Sequence, residues 1–333
     1  MSKIVTLGEL LLRLTPVRNQ RLNQGGDLHA YYGGAEANVA MSLSNFNHEV
    51  FYLSVLPPND LGDAAESHLK SGGVDTRWVF RGGERIGTYF YEKGLSLKQA
   101  KVIYDRKHSS VLELPKKDLD WDAVYKDVAV LHTSGITPAL SGEMKEFTLL
   151  AMKEAKKRNV LVSFDFNYRG KLWSVEEAND TFLAILPLVD YCFAGYKDFI
   201  YLLGCDGPAD FDEDVLEKHY HKFAEEYGIT YFSCTNRTVF SSTANELEGY
   251  IFNNGALYKS NRFSFEIVDR IGGGDAFAAG VLHGILSDFE SQEIVEFGVG
   301  SSVLKHMVYG DHNQFNAGEV KDFLANHGGD VSR

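Results

Sequence analysis

Hydrophobic and polar positions along this chain keep two rhythms. Short, nearly unbroken apolar runs at residues 4–7, 50–55, 128–132, 160–164, 191–194 and 230–234 read as strands covered on both faces, the habit of parallel sheets. Between them, apolar residues recur at helical spacing from the Gly33-Gly34 turn to about Phe46, then over 61–71, 143–158, 176–186 and 214–227. Gly72-Gly73 stops the second of these helices. Lys156-Lys157-Arg158 closes the third with the charge its dipole favours. Strand alternating with helix predicts an α/β sheet. Short strands are expected near Val239, Tyr250 and Leu257, and helices over 276–286, 292–307 and 318–326.

Two regions break the alternation. Leu10, Leu12 and Leu14, then Leu28, Ala30 and Tyr32, alternate with polar residues around Pro16 and Gly25-Gly26. Residues 78–80, 87–91 and 101–105 are strand-like as well. These stretches, about 10–32 and 77–106, are expected to form a small sheet apart from the main one. One apolar face of such a sheet must be covered, so it closes a cleft, pairs with a second subunit, or does both. No repeat or low-complexity segment divides the chain, and residues 1–333 read as one domain.

Composition narrows the partners. With 333 residues and 44% hydrophobic content, the chain can bury a sizeable core. A formal net charge of -13 repels nucleic acid and anionic membrane, so neither is expected as a partner. Any anionic substrate needs a local cluster of arginine or lysine. Cys192, Cys205 and Cys234 are odd in number and lack metal-ligand spacing, which suits reduced thiols. The N-terminus runs directly into a strand without a signal peptide, and no apolar run is long enough to span a bilayer. A cytoplasmic protein is expected. Lys116-Lys117 and the acidic residues 210–214 read as solvated surface.

The chemistry is concentrated in Asp269-Arg-Ile-Gly-Gly-Gly-Asp-Ala-Phe-Ala-Ala-Gly280. Gly272, Gly273 and Gly274 lead into Asp275, after which Phe277, Val281 and Ile285 share one helical face. A glycine turn opening into a helix lets backbone approach a ligand, and the free N–H groups of the first turn favour an anion. A carboxylate at such a place suits a base that takes a hydroxyl proton while a phosphoryl group arrives. A helix-capping aspartate is the plain alternative. No Lys-Ser/Thr follows the glycines, so this is not a P-loop. Its late position also argues against a dinucleotide fingerprint.

These residues resemble the ribokinase-like (PfkB) carbohydrate kinases over nearly the whole chain. Gly272-Gly-Gly-Asp275 resembles that family's C-terminal signature. Gly33-Gly34 with Asn38 resembles its N-terminal one, and Asn59-Asp-Leu-Gly62 and Gly73-Val-Asp-Thr76 resemble further segments. The branch acting on 2-keto-3-deoxygluconate is more similar still, through Gly33-Gly-Ala-Glu-Ala-Asn-Val-Ala40, Tyr104-Asp-Arg106, Asn167-Tyr-Arg169, Leu172-Trp173 and Asp311.

The resemblance implies a three-layer α/β/α sandwich with a mostly parallel central sheet and a small β-sheet lid, often forming a dimer. It also implies sugar-acid contacts at Gly34, Tyr89, Tyr104, Arg106, Arg169, Asp275 and Asp311. Asn38 is a further candidate sugar contact. With the family as guide, nucleotide contacts are expected at Asn167, Thr235, Asn236, Gly272 and Gly274, with Asp198 as a magnesium ligand. The chain departs from the family at Gly195-Tyr-Lys-Asp198, at Arg270, and at Cys234-Thr-Asn-Arg237, all on the metal and nucleotide side.

Each candidate has a plainer reading. Arg106 and Arg169 can hold a carboxylate bidentately or form ordinary ion pairs. Asn38 can bond within its helix, and Tyr89, Tyr91 and Tyr104 can be cross-strand packing pairs. His132 reads as a satisfied core or loop histidine. Arg270 and Lys197 can reach phosphates or stay on the surface. The resulting expectation is an ATP-dependent sugar-acid kinase using magnesium, with Asp275 as base and the glycine N–H groups stabilising charge. The alternatives are a kinase of a neutral sugar, such as fructose or ribose, and a sugar-binding regulator without catalysis.

Overall fold

The computed structural model describes residues 1–114 and 119–326; Lys116 and Lys117 lie outside them. The chain opens with β1 (Lys3–Leu7), β2 (Leu11–Pro16) and β3 (Leu28–Gly33), then α1 (Ala35–Asn45), β4 (Glu49–Leu56) and α2 (Asp60–Ser71). Next come β5 (Val79–Arg81), β6 (Gly87–Glu92), β7 (Lys101–Asp105) and a single turn, α3 (Trp121–Val124). β8 (Val128–Ser134), α4 (Gly142–Lys157), β9 (Leu161–Asp165), α5 (Val175–Ile185), β10 (Tyr191–Phe193) and α6 (Glu213–Tyr227) continue the alternation. The last third holds β11 (Tyr231–Val239), β12 (Ala244–Asn253), β13 (Ala256–Lys259) and β14 (Phe263–Glu266). It ends with α7 (Gly273–Leu286), α8 (Ser291–His306) and α9 (Ala317–Asn326).

The main sheet has the order β13-β12-β11-β10-β9-β8-β1-β4-β5, with β14 also paired to β12. From β11 to β5 every pairing is parallel, and only the β12, β13 and β14 pairings are antiparallel. Alternate residues of each central strand feed two apolar clusters. Val5 and Leu131 meet α4, α5 and α6 on one face, while Ile4 and Val130 meet α1, α2, α7 and α8 on the other. That is the expected three-layer sandwich, and it explains why these strands read as unbroken apolar runs. Among the described residues no helix is long and apolar enough to cross a membrane.

The second sheet has the order β3-β2-β6-β7 and forms the lid. It is smaller than expected at one point. Residues 78–80 were expected within it, but β5 pairs in parallel with β4, Ser54 opposite Val79, and forms the edge of the main sheet. The β4-α2-β5 unit is an ordinary crossover, and Val79 and Phe80 pack against the main core rather than the lid. Two further differences lie near the C-terminal half. The strand near Val239 is continuous with β11, because all nine of its residues find antiparallel partners on β12. β14 was not foreseen, although Phe263 and Phe265 alternate with polar residues and are both buried.

Lid and body are joined by one buried ion cluster. Arg13 of β2 is fully buried and donates to Asp311 Oδ1 and to Asp269 Oδ2, each at 2.6 Å. Tyr89 of β6 donates its hydroxyl to Asp311 from the same lid. Burial alone would weaken the guanidinium charge, but Asp311 and Asp269 outweigh it and hold Arg13 more firmly protonated than usual. Replacing Arg13 with Met strands two buried carboxylates. A loss of about 3–5 kcal/mol, the scale for breaking a buried pair on one side, is expected in urea unfolding. Unchanged stability would show that the cluster does not hold the lid.

Candidate active site

A cavity of about 620 Å³ lies beyond the carboxyl ends of β1, β8 and β9, where the strand order runs off to either side of β1. Open α/β sheets present ligands at this place. The lid covers it from one side through Leu11, Tyr89 and Tyr104, and the glycine turn bounds another. A second cavity of about 220 Å³ shares Asp165, Asp198 and Gly274 with the first and is lined also by Thr235.

The turn has the form anticipated from sequence. Gly272 caps α7 at φ 83°, a left-handed conformation, and a Cβ there would fall 1.5 Å from the Asp311 carbonyl oxygen. At Gly273 a Cβ would meet the His306 ring, whereas at Gly274 it would meet nothing. Two glycines are therefore required by what lies behind the turn, and the third leaves its cavity side open. α8 supports the turn from behind. Ser302 Oγ donates to the Gly273 carbonyl at 2.8 Å, and the fully buried Lys305 ammonium lies 3.4 Å from the Asp269 carbonyl. α7 reaches this position by packing tightly on α8, where Gly280 faces Gly298 across the crossing.

Asp275 stands in the first turn of α7 and accepts from Asn38 Nδ2 at 2.6 Å. Burial pushes its pKa up to about 7; the Asn38 bond and Arg169 oppose that rise. Asn38 thus reaches out of α1 to the candidate base. Asp165, at the end of β9, is pushed up to about 8 by burial and by the charges of Asp275 and Asp198. Asp198 rises to about 6 by burial, although it accepts from the Gly195 N–H at 2.7 Å. Asp165, Asp198 and Asp275, with Glu36 and Asp311 also raised, share one cavity system, which is the pattern of a functional site.

The remaining candidates divide. Gly34, Tyr89, Tyr104, Arg106, Asn167, Arg169 and Asp311 all line the larger cavity. Tyr89 and Tyr104 are also a cross-strand pair with ring centroids 5.7 Å apart, so both readings of them apply. Asp311 and Tyr89 are committed to the Arg13 cluster. Asn167 is engaged with Asp165, through its N–H at 3.1 Å and its Nδ2 at 3.2 Å. Thr235 lines the smaller cavity. Asn236 points from the opposite side of β11 and donates to Glu248 at 3.1 Å, because neighbouring strand residues face opposite ways. It faces neither cavity.

The two expected arginines are not equivalent. Arg106 is paired with the buried Glu9, its Nε at 2.8 Å, so its charge is already matched. Arg169 is exposed; its guanidinium makes a 3.5 Å contact to the Tyr168 carbonyl, and among the described residues no carboxylate is in ion-pair range. Nor are they the sole cations at the cavity, for Arg237 and Arg270 line it too. Sequence reasoning did not single out Arg13, Asp165, Arg237, Lys305 or His306. Arg13 had a signal, a charge at an inward position of an alternating strand. Among the described residues no group of three or more His, Cys, Asp or Glu could hold a metal ion.

The pfkB family of carbohydrate kinases matches residues 1–314. The chain belongs to that family. It is 31% identical to the 2-dehydro-3-deoxygalactonokinase of Haloferax volcanii over 99% of this chain and 98% of that one. Among solved structures it resembles the 2-dehydro-3-deoxygluconokinase of Thermotoga maritima, with a TM-score of 0.95, 37% identity, 98% of this chain covered and 100% of the other. A PfkB family carbohydrate kinase from Listeria grayi is 40% identical with a TM-score of 0.92, covering 97% of this chain and 100% of its own.

In this kinase the Asn38 contact lowers the pKa of Asp275. Asn38→Ala is therefore expected to move the Asp275 titration to higher pH, followed by NMR of its carboxyl carbon. A titration that stays in place or moves lower would contradict the contact.

Proposed function

We propose that this carbohydrate kinase transfers the terminal phosphoryl group of ATP to the primary hydroxyl of a sugar acid, 2-keto-3-deoxygluconate (2-dehydro-3-deoxygluconate), giving the 6-phosphate. The observation that carries the substrate class is Arg169, a guanidinium without a carboxylate partner at a cavity that also holds the candidate base. A bidentate contact from it matches a substrate carboxylate, which fructose and ribose lack. The relatives named for sugar acids support the same class.

In this reading the hydroxyl approaches between Asp275 and the start of α7. Asp275 takes the hydroxyl proton as the oxygen attacks the terminal phosphorus, and the bond from that phosphorus to the ADP oxygen breaks. The N–H groups around Gly272, Gly273 and Gly274, with the helix dipole, stabilise charge on the phosphoryl oxygens. A base with a pKa near 7 is well matched to that task. Thr235 and Gly274 face the nucleotide from the smaller cavity. Asp198 and Asp165 suit magnesium, since their raised pKa values mark a place where a cation relieves repulsion. Magnesium keeps most of its waters and needs few protein ligands, and when bound it neutralises phosphate charge. With three free cysteines, the cytoplasm is the proposed compartment.

The test is a coupled ADP-release assay across sugar acids and neutral sugars. Both C4 epimers of the acid belong in it, because the Haloferax relative is named for the galactonate form. Strong preference for the acid is expected, with a rate that rises as pH passes about 7 and Asp275 becomes a carboxylate. Arg169→Leu should weaken use of the acid by roughly 1.5–3 kcal/mol, the scale of hydrogen bonds to a charged group, while weak activity on neutral sugars changes less. Asp275→Asn should lower kcat by at least ~10²-fold. Equal kcat/KM for fructose and the acid would favour the neutral-sugar kinase. Sugar binding without ADP release would favour the regulator.

The lid also suggests an assembly. Ala30, Leu14, Phe90 and Ile103 stand in register across all four lid strands on the face away from Arg13 and Tyr89. Ala30 and Ile103 are exposed. We propose a homodimer that covers this row. Light scattering should give twice the chain mass of 37.2 kDa, and Phe90→Asp should reduce it. A wild-type mass of one chain would remove the dimer.

A further inference from the structure

Arg237 lies in the second half of β11 on the same side as Thr235, facing the cavity. It is half-buried, and among the described residues no carboxylate lies within ion-pair distance of it. Its guanidinium meets His306, with Nη2 and Nε2 3.1 Å apart. The geometry fixes the roles in that bond. His306 Nδ1 is 2.6 Å from the Ser302 carbonyl, which can only accept, so Nδ1 carries the proton. Nε2 is then the lone pair that accepts from Arg237. Burial, then the nearby Arg237 charge, push His306 down to about 3, so this tautomer persists at any working pH.

Arg237 itself is pushed down to about 10, first by burial and then by Arg270, yet it remains a cation at neutral pH. Arg270, which begins the glycine turn, likewise has no carboxylate in ion-pair range among the described residues. Two like charges therefore face one cavity in a chain with 46 acidic and 33 basic residues. A half-buried cation without a counter-charge favours an anion that joins it. The His306 ring that holds Arg237 also packs behind Gly273. The pair thus flanks the start of α7 at the larger cavity.

We propose that Arg237 and Arg270 form a cationic clamp for the terminal phosphates of the nucleotide donor, with His306 as the residue that positions it. This rests on the reading above that the donor is ATP. Guanidinium groups match phosphate oxygens bidentately, and both lie beside the N–H groups that would receive the transferred group.

Calorimetry with ATP and with adenosine, in magnesium buffer, separates phosphate contacts from base contacts. Wild type should bind ATP much more tightly than adenosine. Arg237→Gln should weaken ATP by about 10-fold or more, one charge-assisted contact, and leave adenosine unchanged. With the sugar acid, its kcat should fall by about 10²-fold, the scale of one lost charge-stabilising donor. Arg237→Lys should recover part of both losses. His306→Gln, whose amide oxygen can still accept from Arg237, should keep more ATP affinity than His306→Leu, with melting curves confirming that each variant is folded. The clamp is overturned if Arg237→Gln binds ATP like wild type, loses ATP and adenosine equally, or loses only the sugar acid. Wild type binding ATP no better than adenosine also overturns it. Failure of every sugar in the kinase assay would remove the proposed function instead, and the ATP–adenosine difference would still report on the clamp.

Discussion

A buried guanidinium shared between two carboxylates is the constraint on which this structure turns. Arg13 sits on the lid, Asp269 begins the glycine turn, and Asp311 follows α8, so one cation binds three distant parts of the chain. None of the three can leave without exposing or stranding a charge in the protein interior. The turn inherits this rigidity. Asp269 also accepts from the N–H of Ile271 at 3.3 Å, and the Asp311 carbonyl presses where a Gly272 side chain would be. The start of α7 is thereby held in place before any substrate arrives, which suits the preorganised site of the proposed reading.

The fold class was legible because its signals are local and redundant. Wholly apolar strands can exist only where helices cover both faces, and here two apolar clusters do so. The edges were harder to read. β5 is three residues long, so its pairing partner is decided by the crossover before it and not by its own pattern. β11 continues through Thr235, Asn236 and Arg237 because β12 returns beside it, a partner found only in three dimensions. In the site, most cavity-lining candidates were foreseen, but the partners that distant elements supply to them were not. Asp275 announces itself by position. Nothing near Asn38 in the chain indicates that it will bond to Asp275, 237 residues away. Arg106 looked as available as Arg169 because Glu9, its partner, is 97 residues away.

The charge balance of the cavity follows from these pairings. An acid-rich chain must accept two anions, a sugar acid and a nucleotide in the proposed reading, and it does so by sorting its cations. Arg106 is neutralised by Glu9 and Arg13 by Asp269 and Asp311, so these charges contribute order and little net field. Arg169, Arg237 and Arg270 lack carboxylate partners among the described residues and line the cavity with Asp275. Between them the carboxylates are held at raised pKa values, Asp165 about 8 and Asp275 about 7, so part of the formal negative charge is protonated near neutral pH. An arriving anion therefore meets less repulsion than the residue count suggests. The same raised values make Asp275 basic enough to take a proton and close enough to neutrality to release it. Burial, costly for stability, is what raises the Asp275 pKa, and in the proposed reading it tunes the base while the unpaired arginines are left for ligands.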